Sequence, residues 1–163
     1  MFKTNKKINP MFNFDISRYM GNWYELARSN NTTFEIGKYL HEEYRILSDE
    51  IIRLTFYRTI NGKEEKGEAD VFYDPKLPSH WDLRFLKKPI IEFWPTELII
   101  IDTDYDNYAI TYSKSSFMYI FTKEMAWIMS RKKYLSPEVM ETLYKKLEES
   151  TGIKKESMIL NIQ

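Results

Sequence analysis

Cysteine is absent from the 163 residues, which excludes a disulfide framework, a thiolate zinc site, a Cys nucleophile and acyl anchoring through Cys. Charge of one sign is absent too: 24 Lys and Arg balance 24 Asp and Glu. No global field draws the chain to a polyanion, and no nucleic-acid partner is expected. No apolar run approaches the ~20 residues of a membrane span. Lys3, Lys6 and Lys7 near the start precede no apolar stretch of signal-peptide length. A cytoplasmic protein is the expectation for the chain as given, or a secreted or periplasmic one had a leader been removed. Glycine and proline are few, at 5 and 6, and form no linker. Only two histidines occur, His41 and His80, and neither has a second ligand at metal spacing. No metal or cofactor is expected.

What the chain does have is rings. It carries 12 Tyr, 10 Phe and 4 Trp within a hydrophobic content of 43%, enough for one packed core at about one domain per ~150 residues. We divide it into an N-terminal extension, 1–14, and one domain, 15–163. From Gly21 to Arg131 short alternating segments are broken by turn residues about every ten positions, the mark of an antiparallel barrel or sandwich. Leu40, Glu42, Tyr44 and Ile46 share one face of a strand, and Ile52, Leu54 and Phe56 one face of the next. Asn61-Gly62 closes a hairpin because both residues tolerate positive φ. Ala69 and Val71 alternate with acids, and Trp81, Leu83 and Phe85 with His80, Asp82 and Arg84. With Gly21 to Ala27, Leu98 to Asp102, Tyr108 to Ser113 and Met125 to Arg131, the candidate strands number eight.

Eight strands can close on themselves, removing sheet edges and leaving room for side chains plus one small ligand. The expected fold is all-β, an eight-stranded antiparallel up-and-down barrel with a C-terminal helix outside. That helix, at about 136–150, has Ser136 as N-cap, Pro137 at its first position, and Gly152 just past its end. Val139, Met140, Leu143 and Leu147 form its expected buried stripe, and Met158 to Ile162 a short closing strand.

Three segments then stand together: Gly21-Asn22-Trp23-Tyr24 opening the first strand, Thr103-Asp104-Tyr105-Asp106-Asn107-Tyr108 at a late turn, and Arg131 ending the last strand. In order and spacing this set resembles the three motifs of the lipocalin family. Tyr24-Glu25-Leu26-Ala27-Arg28, Gly67-Glu68-Ala69 and Ala126-Trp127-Ile128-Met129-Ser130-Arg131 resemble its branch of apolipoprotein D and the bacterial lipocalins. The resemblance implies binding of a small hydrophobic ligand in the barrel. It also implies structural roles for Gly21, Trp23, Thr103, Asp104, Tyr105 and Arg131, with the Arg131 guanidinium over the Trp23 indole at the closed end.

Alternation assigns the inner wall to Ala27, Tyr44, Ile46, Leu54, Phe56, Trp81, Leu83, Phe85, Met125, Trp127 and Met129, the candidate ligand contacts. Arg58, with the parity of Phe56, is a candidate cation for a ligand head group, and Tyr57 a second orienting group. Pro89 to Pro95 is an apolar loop between prolines, and Ile90, Ile91, Phe93 and Trp94 suggest a lid, a membrane contact or a partner surface; Phe117 to Phe121 is a lesser one. A monomer or weak dimer is expected. Asp102, Asp104 and Asp106 alternate like the start of a calcium loop, but Asn107 and Ser113 stand where such a loop needs Gly and Glu. No Gly-rich phosphate loop or Ser nucleophile elbow occurs, and the chain is not expected to be an enzyme. The alternative, a lipocalin-fold enzyme acting on a lipophilic substrate, would need Glu25 or Glu42 as a buried internal acid with a raised pKa.

Overall fold

The computed structural model describes residues 6–29, 37–87, 97–117, 121–161 and 163. After a single-turn helix α1 (Ile16–Tyr19), strands β1 (Gly21–Ser29), β2 (Lys38–Ser48), β3 (Ile51–Ile60), β4 (Lys63–Tyr73), β5 (His80–Phe85), β6 (Glu97–Thr103), β7 (Tyr108–Phe117) and β8 (Phe121–Ser130) follow in order. Each pairs antiparallel with the next, and β1 pairs with both β8 and β2 to close the eight-stranded barrel. Helix α2 (Pro137–Thr151), a 3-10 turn and β9 (Met158–Leu160) complete the chain. Among the described residues no helix is long and apolar enough to cross a membrane.

Local chemistry explains the elements. The Asn61 and Gly62 φ angles of 51° and 74° make the tight turn expected of that pair. The paired register runs on to Ile60 opposite Lys63, so β3 and β4 extend well past their apolar alternation. In α2 the Ser136 hydroxyl accepts from the Val139 N–H, Pro137 starts the first turn, and Gly152, at φ 77°, returns its N–H to the Glu148 carbonyl. Met140, Leu143, Leu147 and Thr151 are its buried residues. Val139 is a correction: it is 41% exposed, because the buried spacing of three and four runs from Met140 and turns Val139 off the stripe.

The barrel separates two cores. Inside lie Tyr19, Trp23, Tyr44, Ile52, Leu54, Trp81 and Leu83 with their neighbours. Outside, Leu26, Ala27, Ile110, Ala126 and Ile128 pack against Met140, Leu143 and Leu147 of α2. The β1–β2 seam is paired only from Gly21 to Tyr24. Above it β9 lies along Ala27 to Ser29, and the Gln163 side-chain amide donates to the carbonyls of Glu25 at 2.7 Å and Leu40 at 2.8 Å. The C-terminal segment therefore completes the wall where the two strands diverge.

Candidate ligand site

The turns after β2, β4 and β6 lie at one end of the barrel with α1, and that end is closed. Arg131 lies 3.8 Å from the centre of the Trp23 ring while its Nε donates to the Tyr105 carbonyl and its Nη1 and Nη2 to those of Asn22, Arg18 and Tyr19. A Cβ at Gly21, whose φ is 96°, would meet Arg131 Nη1 at 3.3 Å, so the small residue accommodates the guanidinium. Thr103 accepts the Tyr105 N–H and donates to the Tyr108 carbonyl, holding Tyr105 at φ 67°. Burial alone would raise the Asp104 carboxyl, but N–H donors from Tyr108 and Asn107 outweigh it and hold the pKa below its usual value. Asp102 turns outward to Lys146 and Tyr108. Among the described residues no three His, Asp or Glu group as metal ligands would.

Above this base the inner face changes character. Tyr19 stacks on Trp23 at 4.9 Å, and Tyr44 meets Trp81 at 5.2 Å, so the lower barrel is filled with rings. Along β3, Ile52 is fully buried and Leu54 3% exposed, whereas Phe56 and Arg58 above them are only half-buried. The same gradient runs from Trp81 through Leu83 to Phe85, and from Val71 through Ala69 to Gly67. Phe56 faces Phe85 edge-on at 6.0 Å and lies over Gly67, where an added Cβ would fall 2.0 Å from its ring. Gly67→Ala should therefore swing Phe56 off its seat and cost about 1–3 kcal/mol, measured by urea denaturation with Phe56→Leu/Gly67→Ala as the compensated control. Full stability of the single variant would show that the ring has no fixed position.

Of the residues assigned inward by alternation, Tyr44, Leu54, Trp81, Leu83, Met125, Trp127 and Met129 lie in the inner core, with Phe56 and Phe85 packed on it. Arg58 also faces in, ion-paired to Glu65 at 2.8 Å. Three expectations are corrected. Ala27 faces outward into the α2 core, because a bulge after Glu25 shifts the register so that Ala27 opposes Ile128 and Arg28 opposes Trp127. Ile46 is 44% exposed, because β2 runs past its last β1 partner, Gly21 opposite Tyr44. Tyr57 stacks on His41 at 4.4 Å on the outer face and cannot orient a ligand inside. The apolar segment with Ile90, Ile91, Phe93 and Trp94 lies outside the described residues, as do 30–36 and 118–120.

The bulge has a second effect that alternation could not anticipate. It places Glu25 and Arg28, three apart, on the same inner face, where Arg28 clamps the Glu25 carboxylate through both Nε and Nη2. The Asn161 amide donates to the same carboxylate at 2.6 Å. Opposite Trp23 stands Glu42, whose Oε2 accepts the Tyr44 hydroxyl at 2.6 Å. Burial pushes the Glu42 pKa up to about 7; the Tyr44 hydrogen bond draws it down, Glu25 raises it and Arg28 lowers it. Glu42 points inward beside Tyr44, yet part of its surface stays uncovered. On the inside of a barrel that combination means it borders internal space.

A model of the lipocalin-like domain matches residues 14–163. The chain belongs to the lipocalin family. Mouse (Mus musculus) apolipoprotein D is 31% identical over 150 residues, 90% of this lipocalin and 75% of the relative. Bovine (Bos taurus) apolipoprotein D is 30% identical over 157 residues, 93% and 78% of the two chains. Among solved structures, insecticyanin from the tobacco hornworm Manduca sexta superposes with a TM-score of 0.77 at 23% identity, covering 96% of this chain and 85% of that one. Lobster apocrustacyanin A1 gives 0.73 at 20% identity, with 91% and 79% covered. These two likenesses support the barrel and its outer helix.

Proposed function

We infer that this lipocalin binds a small hydrophobic ligand, a fatty acid, lysophospholipid or similar lipid, in the upper half of its barrel, for transport or storage. The observation that carries this reading is the gradient of the inner face: sealed by rings and Arg131 at one end, progressively accessible at Phe56, Phe85 and Arg58 toward the other. Burying an acyl chain yields ~0.8 kcal/mol per methylene, so ten methylenes contribute about 8 kcal/mol gross. Ordering the chain and losing translational freedom remove several of these, which sets the expected affinity around micromolar. Trp127, Met125, Phe56 and Phe85 supply the wall.

Titration with a fluorescent fatty acid tests the assignment. Trp127→Ala, which removes the largest ring from β8's inner face, should weaken binding about tenfold, the effect of ~1.4 kcal/mol of lost contact. An unchanged affinity would remove Trp127 from the site.

Glu42 is the internal acid with a raised pKa that the enzymatic alternative requires. The Glu25 carboxylate beside it is locked to Arg28 and Asn161, and the Tyr44 hydroxyl is held well above its usual range, first by burial and then by Glu42. The Tyr44 phenol is therefore not poised to exchange a proton with a substrate near neutrality. Recognition is the role these groups support.

A further inference from the structure

The inner face contains a polar site that a purely hydrophobic ligand would leave unsatisfied. Glu42 is only partly buried on the inner face, and its Oε2 takes the Tyr44 hydroxyl. The Tyr19 hydroxyl, buried beside them, has no hydrogen-bond partner among the described residues. The charges facing Glu42 come from β1, where Glu25 and Arg28 neutralise one another. From α1 comes the Tyr19 phenol, and on its own strand Tyr44; β3 contributes Phe56, an uncharged ring, and beyond it Arg58, paired to Glu65. Arg131 lies farther down, against Tyr19 and Trp23, and Lys123 higher up, on the side of Arg28. With Glu42 ionised, the group Glu25, Arg28 and Glu42 sums to one negative charge.

That sum sorts ligands by the chemistry of the end that reaches the base. A hydrocarbon terminus would strip water from the Glu42 carboxyl without replacing its hydrogen bond, which is unfavourable. A carboxylate or phosphate terminus would meet two carboxylates and an arginine already occupied by one of them. A protonated amine supplies both the missing positive charge and the donors, and the rings of Tyr19, Trp23, Tyr44 and Trp81 beneath it favour a cation over a neutral group.

We propose that Glu42 is the anchor for an ammonium group, so that the barrel takes a long-chain amine head-first, its chain running up toward Trp127 and Phe56. This assignment rests on the ligand-binding reading above and names the ligand's chemical class. It makes binding proton-linked. Glu42 titrates near neutrality, so below pH 7 each ammonium that enters drives the Glu42 proton out to solvent, one positive charge replacing another. Affinity for the amine should rise with pH until Glu42 is fully ionised.

Calorimetric titration of the full chain with decylamine, decanol and decanoate at pH 6 and pH 8 tests this. Decylamine should bind about tenfold tighter at pH 8 than at pH 6, following the ionised fraction of Glu42, and at least tenfold tighter than decanoate at pH 8. Glu42→Gln, near-isosteric and free of the buried charge, should keep the fold by circular dichroism, lose the pH dependence and lose the preference for amine. Equal binding of decylamine and decanoate, decanol matching decylamine, or a pH dependence that survives Glu42→Gln would each overturn the anchor while leaving lipid binding intact. Failure of all three ligands, together with failure of the fluorescent fatty acid, would take down both readings.

Discussion

Arg131→Ala should lower the stability of this lipocalin by about 3 kcal/mol or more and leave ligand affinity within twofold. The side chain donates to the carbonyls of Tyr105, Asn22, Arg18 and Tyr19 and covers the Trp23 ring. A hydrogen bond to a charged group contributes roughly 1.5–3 kcal/mol where it is buried, and the cation over the indole ~0.5–2 kcal/mol. Several of these carbonyls are near solvent and recover water once the guanidinium is gone, so the sum is well below the arithmetic total. For a domain of this size ~3 kcal/mol lowers Tm by roughly 6–12 °C. Arg131→Lys should restore less than half of the loss, because one ammonium cannot bridge acceptors on β1, α1 and the β6–β7 turn as a planar fork does. Thermal denaturation and fatty-acid titration on the same samples separate the two effects. A variant with unchanged Tm and abolished binding would move Arg131 from the plug to the ligand site.

The second large effect is expected at Arg28. Its guanidinium is the cation that neutralises Glu25 inside the barrel, and both side chains are only 6% exposed. Arg28→Ala leaves the Glu25 carboxylate buried with the Asn161 amide as its remaining side-chain donor among the described residues, a change that costs roughly 3–5 kcal/mol. Removing the pair together is different: Glu25→Leu/Arg28→Met replaces two buried charges by apolar volume and should lie within about 1–2 kcal/mol of the parent. The double-mutant cycle in urea therefore predicts strong non-additivity. If the double variant is as unstable as the single one, the pair is needed for the bulge itself and not for charge balance.

Much of this architecture was legible in the order of residues. The alternation of Ile52, Leu54 and Phe56, and of Trp81, Leu83 and Phe85, reports the inner face because a strand's side chains must alternate once one side is packed. Asn61-Gly62, Ser136-Pro137 and Gly152 punctuate the chain through their own backbone preferences, and each stands in the structure as its local chemistry demands. Gly21, Trp23, Thr103 and Arg131 carried the family likeness, and they assemble the closed end.

The polar interior was less legible. Glu42 lay on the expected inner face, but its raised pKa depends on enclosure by strands and rings that no local pattern specifies. Helix α1 is a single turn capped by Asp15, too short to leave a periodicity, yet it delivers Tyr19 to the base of the barrel.

The strand count, the turns, the outer helix and the rings of the core follow from the order of residues alone, since propensity, capping and period-two burial act over a few neighbours. Which way Ala27 and Arg28 point, the place of Ile46 beyond the base and the acid on the inner face emerge with the assembled barrel. A bulge and a seam are properties of two strands in register, and the energy of a buried charge belongs to everything that surrounds it.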